Sequence, residues 1–139
     1  MRKPIAVAAA CCCLAFAAAG EAGAATLSVD AKNACLDLTT GKLFGAAAFL
    51  PLPNGKYTAS MTSTAILGAS GGALDKVYFY LQTPNRPFSS LNIISTRNPN
   101  NFAVNGNGTH FQNGITAFIV DADCSDNAGT ITMTVTRRP

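Results

Sequence analysis

Alternation of apolar and polar residues runs through much of this chain and predicts β-strands along its length. The clearest case is Thr130–Thr136, where the apolar residues Ile131, Met133 and Val135 share one face. Threonines occupy the other face, and this period of two is typical of a half-buried strand. Ile115–Val120 is instead a nearly continuous apolar run, which indicates a strand with protein against both faces.

The segment Asp75–Gln82 has the strongest strand signal of the chain, because branched and aromatic residues dominate it. Val77, Phe79 and Leu81 point to one side, whereas Tyr78 lies on the other with Tyr80 and Gln82. Since both faces carry bulky side chains, we expect this strand to lie inside a sheet and not at its edge. The alternating strands predict a core that contains Val77, Phe79, Leu81, Ile131, Met133 and Val135.

The remaining strands are predicted from shorter patterns. They are Thr26–Asp30, Ala34–Leu38, Lys56–Leu67, Ser90–Ser95 and, more weakly, Lys42–Leu50. Residues 96–108 are rich in asparagine and glycine and predict a long surface loop. No segment has helical periodicity. With turn signals about every eight to twelve residues, the chain predicts an all-β fold, a single antiparallel β-sandwich of jelly-roll or Greek-key type with about seven to eight strands.

The first residues have the organisation of a secretory signal peptide. Arg2 and Lys3 precede an apolar run from Ile5 to Ala19, and small residues follow it. A lipoprotein signal would place one cysteine at the end of that run, whereas the three cysteines at 11–13 lie within it. We therefore expect residues 1–24 to be a leader cleaved before Ala25, residues 25–139 to form one domain, and the product to be secreted or periplasmic.

Only Cys35 and Cys124 remain once the leader is set aside. An exported protein meets an oxidising environment, so two cysteines predict one disulfide between them. The alternative is a reactive or metal-bound thiol, but neither cysteine has a histidine or a second cysteine nearby in sequence. The bridge would join the first strand region to the turn that follows Val120.

The charge pattern excludes several classes of protein. Without the leader there are eight basic and six acidic residues, and the basic ones are scattered, so nucleic acid is not an expected partner. No apolar run outside the leader is long enough to span a bilayer. His110 is the sole histidine, no glutamate follows Glu21, and the clustered carboxylates share one loop, whereas glycosidase carboxylates flank a cleft. We therefore expect no enzyme activity.

One acidic turn stands out between the last two predicted strands. It contains Asp121, Asp123, Asp126 and Asn127, which together offer carboxylate and amide oxygens. Calcium prefers six to eight oxygen ligands, and backbone carbonyls of a tight loop can complete such a set. The sequence therefore predicts a calcium site here. The alternative is a turn in which Asp and Asn side chains hydrogen-bond to the backbone.

Three segments carry a resemblance to a known family: PLPNGKYTASMTSTAILG, QNGITAFIVDAD and SDNAGTITMTV. Their order resembles that of the small calcium-dependent galactose-binding lectins of bacteria. Those lectins have a PGD-type turn before a long strand, and an Asp followed by an N-N-x-G-S turn before the last strand. The resemblance implies a jelly-roll sandwich in which calcium bridges two sugar hydroxyls.

The resemblance also implies roles for individual residues. Asp121 would match the first Asp of the lectin pattern, Asp126 and Asn127 would match the paired asparagines, and Asp123 would lie near a carbonyl ligand. The turn is shorter than that of the family and contains Cys124, and the chain has no counterpart of the family's sugar-contacting His-x-x-Gln pair. Calcium binding without sugar binding, or a shared fold alone, is therefore also consistent with the sequence.

Two functional hypotheses follow. The first is an exported, lectin-like module that binds carbohydrate with calcium at the acidic turn. The second is a non-enzymatic structural or interaction protein of the cell envelope, or an inhibitor of another secreted protein. Pilin-like subunits of the second class end in an alternating strand suited to strand exchange, and Thr130–Thr136 has that alternation.

Overall fold

A computed structural model describes residues 23–68, 71–83, 90–106 and 113–139. The predicted leader up to residue 22 and His110 lie outside these described residues. Within them the chain is almost entirely β-structure and forms twelve strands. The prediction of an all-β fold is therefore confirmed, whereas the predicted number of seven to eight strands is too low.

A four-stranded antiparallel sheet forms one part of the fold. Its spatial order is β1 (Ala24–Asp30), β12 (Thr130–Arg138), β5 (Gly55–Ser63) and β10 (Asn100–Val104). Ala25 pairs with Val135, and Val135 also pairs with Ala59. Backbone hydrogen bonds thus place β12 between the first strand of the described chain and the long strand β5.

A six-stranded sheet forms the second part. Its order is β3 (Lys42–Gly45), β2 (Ala34–Asp37), β11 (Gly114–Asp121), β8 (Lys76–Gln82) and β9 (Leu91–Ser95), and β4 (Ala48–Pro51) pairs with the first half of β11. The β2–β11 pair is parallel and the other pairs are antiparallel. This sheet is therefore mixed, not antiparallel throughout as predicted. The strand β8 lies between two neighbours, which confirms its predicted internal position.

Several predicted elements are divided or moved by tertiary contacts. Lys42–Leu50 forms two strands because Gly45, with φ of 63°, interrupts the run and approaches the Asn33 carbonyl. The predicted strand Lys56–Leu67 ends at Ser63, and its last residues form β6 (Ile66–Leu67), which pairs with β7 (Gly72–Ala73). The predicted loop at residues 96–108 contains β10, because pairing with β5 outweighs its asparagine-rich composition.

Both larger sheets contribute to one hydrophobic core. Phe79 of β8 meets Phe102 of β10 edge to face, with 5.3 Å between the ring centroids, and Tyr57 of β5 stacks on Phe102. Five of the six predicted core residues are fully buried, and Leu81 is partly buried against them. Period-two alternation therefore assigned the inward faces of β8 and β12 correctly.

The strands β11 and β12 follow one another as strands along the chain but belong to different sheets. The acidic turn between them thus carries the chain from one sheet to the other. A short 3₁₀ turn at Cys124–Asp126 lies within it. No helix in the described ranges is long and apolar enough to cross a membrane.

Candidate functional site

The acidic turn packs over the end of β2. The backbone N–H of Leu38 donates to the Asp121 carbonyl at 2.8 Å, and the Thr39 hydroxyl donates to the Ala122 carbonyl at 2.6 Å. Because β2 and β11 run parallel, Asp121 lies directly beside Asp37 in the register. The fold therefore places a further acidic residue, from a distant part of the sequence, next to the predicted site.

Asp37 is a site residue that the sequence analysis did not identify. Its side chain is only 3% exposed. One carboxylate oxygen accepts from the backbone N–H and the hydroxyl of Thr40, at 2.8 and 3.0 Å, and the other accepts from the backbone N–H of Cys124 at 3.2 Å. The Thr40 amide, followed by the Cys124 amide, lowers the pKa of Asp37 despite burial, which acts in the opposite direction.

The side chains of Asp121 and Asp123 are used by the turn itself. Asp121 Oδ1 accepts from the next backbone N–H at 2.7 Å. Asp123 caps the 3₁₀ turn, because its Oδ1 accepts from the hydroxyl and the backbone N–H of Ser125, at 2.6 and 2.9 Å. These bonds, the hydroxyl first, lower the pKa of Asp123. Both residues thus have the geometry expected of a hydrogen-bonded turn.

Asp126 and Asn127 lie on the other side of the turn. Asp126 packs against Gly68, so closely that a Cβ at Gly68 would lie 2.6 Å from its Oδ2. Asn127 is 4% exposed, and its amide nitrogen donates to the Ala31 carbonyl at 3.2 Å and contacts Cys35 Sγ at 3.6 Å. Its amide oxygen is buried and has no hydrogen-bond partner among the described residues.

The predicted disulfide is present and links β2 to the 3₁₀ turn. Cys35 and Cys124 are both fully buried, with 5.9 Å between their Cα atoms. The bridge lies beside the Asp37–Cys124 hydrogen bond and the Asn127 amide. Covalent and polar contacts together therefore hold the acidic turn against the end of the parallel strand pair.

The predicted calcium ligands do not form an evident metal cage. Within the part of the chain that the structure describes, no three His, Cys, Asp or Glu side chains are grouped so that they could hold a metal ion. Among the side-chain oxygens of the four predicted ligands, the Asn127 amide oxygen is the one that is buried without a hydrogen-bond partner. Calcium at Asp121, Asp123, Asp126 and Asn127 stays a prediction.

A second candidate site is the outward side of the six-stranded sheet, away from the core. Alternation along each strand points a set of large apolar side chains to this side, and we call this set the apolar face. It consists of Leu36, Leu43, Phe49, Tyr78, Tyr80, Leu91, Ile93, Phe118 and Val120. Leu91 and Ile93 are 52% and 49% exposed, and Leu43 and Phe49 are also exposed.

The register makes the apolar face continuous across strands. Ile93 lies opposite Tyr78, and Tyr78 lies opposite Phe118. In the next row Leu91 lies opposite Tyr80, whose other neighbour Thr116 pairs with Phe49. A third row joins Leu43, Leu36 and Val120. Side chains at such cross-strand positions are within contact distance, so these residues form one patch, in which the polar Thr116 separates Phe49 from Tyr80.

An aromatic stack lies at the centre of the apolar face. The Phe118 ring is stacked with Tyr80 at 5.5 Å and with Tyr78 at 6.1 Å between centroids. The two tyrosines cover Phe118, which is buried although it points away from the core. The prediction of protein against both faces of β11 is therefore met at Phe118, whereas its outward neighbours Thr116 and Val120 are only half-buried.

The outward side of the four-stranded sheet has the opposite character. Hydroxyl side chains form rows across its strands, such as Ser28, Thr132 and Thr62, followed by Thr26, Thr134 and Ser60. Such a polar outer face is what an antiparallel sheet in contact with water normally presents. The apolar face is therefore a property of one sheet and not of the whole surface. Contiguous exposed apolar patches typically mark sites of interaction.

Comparisons of this chain with protein-family models, with curated proteins and with solved structures find no match.

Proposed function

We propose that this protein is a non-enzymatic interaction protein of an exported, oxidising compartment, and that its apolar face binds the surface of another protein molecule. The observation that carries this proposal is the contrast between the two sheets. One outward side is lined by threonines and serines, whereas the other exposes leucine, isoleucine and phenylalanine side chains. Leaving such a patch in water is unfavourable by about 25 cal/mol for each Å² of apolar surface, so covering it stabilises a complex.

The chemistry of the apolar face favours a protein partner. Isolated exposed leucines are common on protein surfaces, but here aliphatic and aromatic side chains follow one another across neighbouring strands. Protein interfaces are rich in tyrosine and phenylalanine at their centre and are polar at the rim. The Tyr78–Phe118–Tyr80 stack has the central position, and Lys76 and Ser95 lie at one end of it.

The proposal includes a β-sandwich of jelly-roll or Greek-key type. The shared core and the Phe79–Phe102 contact between sheets support a face-to-face arrangement. The buried disulfide is compatible with export to an oxidising compartment, as the predicted leader implies. In such a fold the apolar face is the outside of one sheet, where a flat partner surface has access to it.

A photo-crosslinking side chain at position 93 tests the proposal in producing cells. Ile93 is half exposed on the apolar face, and the matched control is Thr132, an exposed residue of the other sheet. We expect a protein adduct from position 93 and none from position 132. If position 93 gives no adduct, or if both positions give the same adducts, the apolar face is not the binding surface.

A calcium-dependent lectin is a second candidate, because one specific observation favours it. The buried amide oxygen of Asn127 lacks a partner, and it belongs to the residue pair that the lectin resemblance assigns to calcium. A cation near this oxygen would satisfy it. Glycan binding that requires calcium and disappears with chelator would support this candidate. Binding to a protein partner that chelator does not affect would favour the interaction protein.

A further inference from the structure

The distribution of charge around the apolar face restricts its partner. Among the outward-pointing residues of the described strands in this sheet, Lys76 is the charged one. Partners of a different kind are usually selected by complementary charges, which also accelerate their association. The apolar face offers almost no charged side chains for such selection. A surface without charges is instead suited to a partner that is equally uncharged.

Resting on the proposed function, we infer that the partner is a second copy of this chain, which packs its apolar face against that of the first copy. In a two-fold symmetric dimer the same patch contributes from both sides. A charged patch would then repel itself, whereas an apolar patch is complementary to itself. Lys76 lies in the row that ends at Ser95, so a two-fold axis through the aromatic stack keeps the two lysines at the rim.

The size of the face limits the area that a dimer can bury. Neighbouring strands are about 4.8 Å apart and alternate residues about 6.8 Å apart, so each outward side chain covers roughly 33 Å² of sheet. The nine apolar residues and the four polar ones around them, Lys76, Gln82, Ser95 and Thr116, therefore cover about 430 Å² per copy. Two copies approach the total of about 1,000 Å² that specific interfaces need. The geometry thus indicates a weak, reversible dimer.

The arrangement of side chains places the energetic centre in the aromatic stack. The stacked rings are already fixed by mutual contact, so a partner does not have to order them. Leu91 and Ile93 extend the patch toward the edge strand β9, where their exposed surface is available for burial. A positive charge at either position would be placed inside the dimer interface, where no acidic residue of the same face can pair with it.

Sedimentation velocity of the purified, oxidised protein over a range of concentrations tests the inference. We expect a weight-average mass that rises toward twice the monomer mass at about micromolar to millimolar concentration. Ile93→Lys should raise the dissociation constant about tenfold or more, since an unpaired charge would be buried. Thr132→Lys adds the same charge to the polar sheet and should leave the dissociation constant unchanged.

Two further measurements distinguish a loss of dimerisation from a loss of folding. Leu91→Lys repeats the test at a second exposed position, and thermal unfolding of each variant verifies that it is folded. A wild-type protein that stays monomeric at every concentration, or a dimer that ignores both lysine variants, overturns the inference. If the wild type is monomeric while position 93 crosslinks to a different protein in cells, the inference fails and the proposed function stands. If neither sedimentation nor crosslinking at position 93 finds a partner, the dimer inference and the proposed function both fail.

Discussion

The carboxylate of Asp37 accepts a hydrogen bond from the backbone N–H of Cys124, with 3.2 Å between Oδ2 and the nitrogen, although 87 positions separate the two residues. The disulfide from the neighbouring Cys35 to the same Cys124 reinforces this contact. Asp37 thus connects the end of β2 to the acidic turn. An ionised carboxylate is the better acceptor for the backbone N–H groups of Thr40 and Cys124, which is why the pKa of Asp37 lies below the ordinary value of 3.8.

This contact predicts a pH-dependent contribution to stability. A carboxyl group whose pKa is lowered by folding stabilises the folded state fully above its unfolded pKa, and this stabilisation is lost as the pH falls through the folded pKa. We therefore expect Asp37→Asn to be less stable than the wild type at neutral pH. The difference should shrink when the pH falls below 3.8, because the wild-type carboxyl group then also becomes protonated.

Urea unfolding at a series of pH values measures this difference, and Asp75→Asn, which changes an exposed carboxylate, is the control. The stability difference between Asp75→Asn and the wild type should not shrink at acidic pH in the way expected for Asp37→Asn. A stability gap for Asp37→Asn that stays constant down to strongly acidic pH would show that the charge of Asp37 contributes nothing.

The disulfide predicts that the oxidised protein contains no free thiol between residues 25 and 139. Thiol labelling of the unreduced, denatured protein should therefore modify neither Cys35 nor Cys124. The bridge spans 89 positions, and removal of such a bridge typically costs about 2–5 kcal/mol. The double change Cys35→Ala with Cys124→Ala should lower the free energy of unfolding by that amount. Two labelled thiols in the oxidised protein would contradict the prediction.

Truncation of Phe79 in the core should destabilise the protein strongly, whereas truncation of an exposed residue on the four-stranded sheet should have little effect on stability. Phe79 is fully buried between the sheets and meets Phe102. Phe79→Ala should reduce the free energy of unfolding by about 3–5 kcal/mol, because it removes apolar contacts and leaves a cavity. Thr132→Ala, on an exposed position of β12, should change it by at most about 0.5 kcal/mol. Similar effects of the two changes in denaturant unfolding would mean that the inward face is assigned wrongly.

Calcium at the acidic turn predicts thermal stabilisation. At about a hundredfold excess over its dissociation constant, a ligand of the folded state adds roughly 2.7 kcal/mol. For a domain of this size the melting temperature should then rise by on the order of 10 °C in calcium relative to chelator. The double change Asp121→Asn with Asp126→Asn should abolish the rise, because it removes two anionic ligands and nearly preserves shape.

Asp75→Asn is the control for the calcium experiment, since Asp75 is exposed and precedes β8. It should keep the full rise in melting temperature. Equal melting temperatures of the wild type in calcium and in chelator would leave the acidic turn with a structural role only, formed by the Asp121 and Asp123 hydrogen bonds.

Much of the fold is determined by local sequence. The alternation in β8 and β12 identified their buried residues, and the count of two cysteines outside the predicted leader identified the disulfide. The acidic turn was located between the correct strands, and Asp123 caps its 3₁₀ turn. The strand faces and the turn depend on residues that are close in sequence, and the two cysteines outside the predicted leader have a single possible pairing. Local patterns are sufficient to predict them.

Only the tertiary structure decided which strands lie side by side. The parallel pairing of β2 with β11 brings Asp37 to the acidic turn, and pairing with β5 makes a strand of the asparagine-rich Asn100–Val104. The apolar face likewise exists because the register aligns outward side chains of six strands from distant parts of the chain. Alternation assigns each side chain to one of two faces of its own strand. Which strands become neighbours depends on long-range burial and backbone pairing, which no local pattern contains.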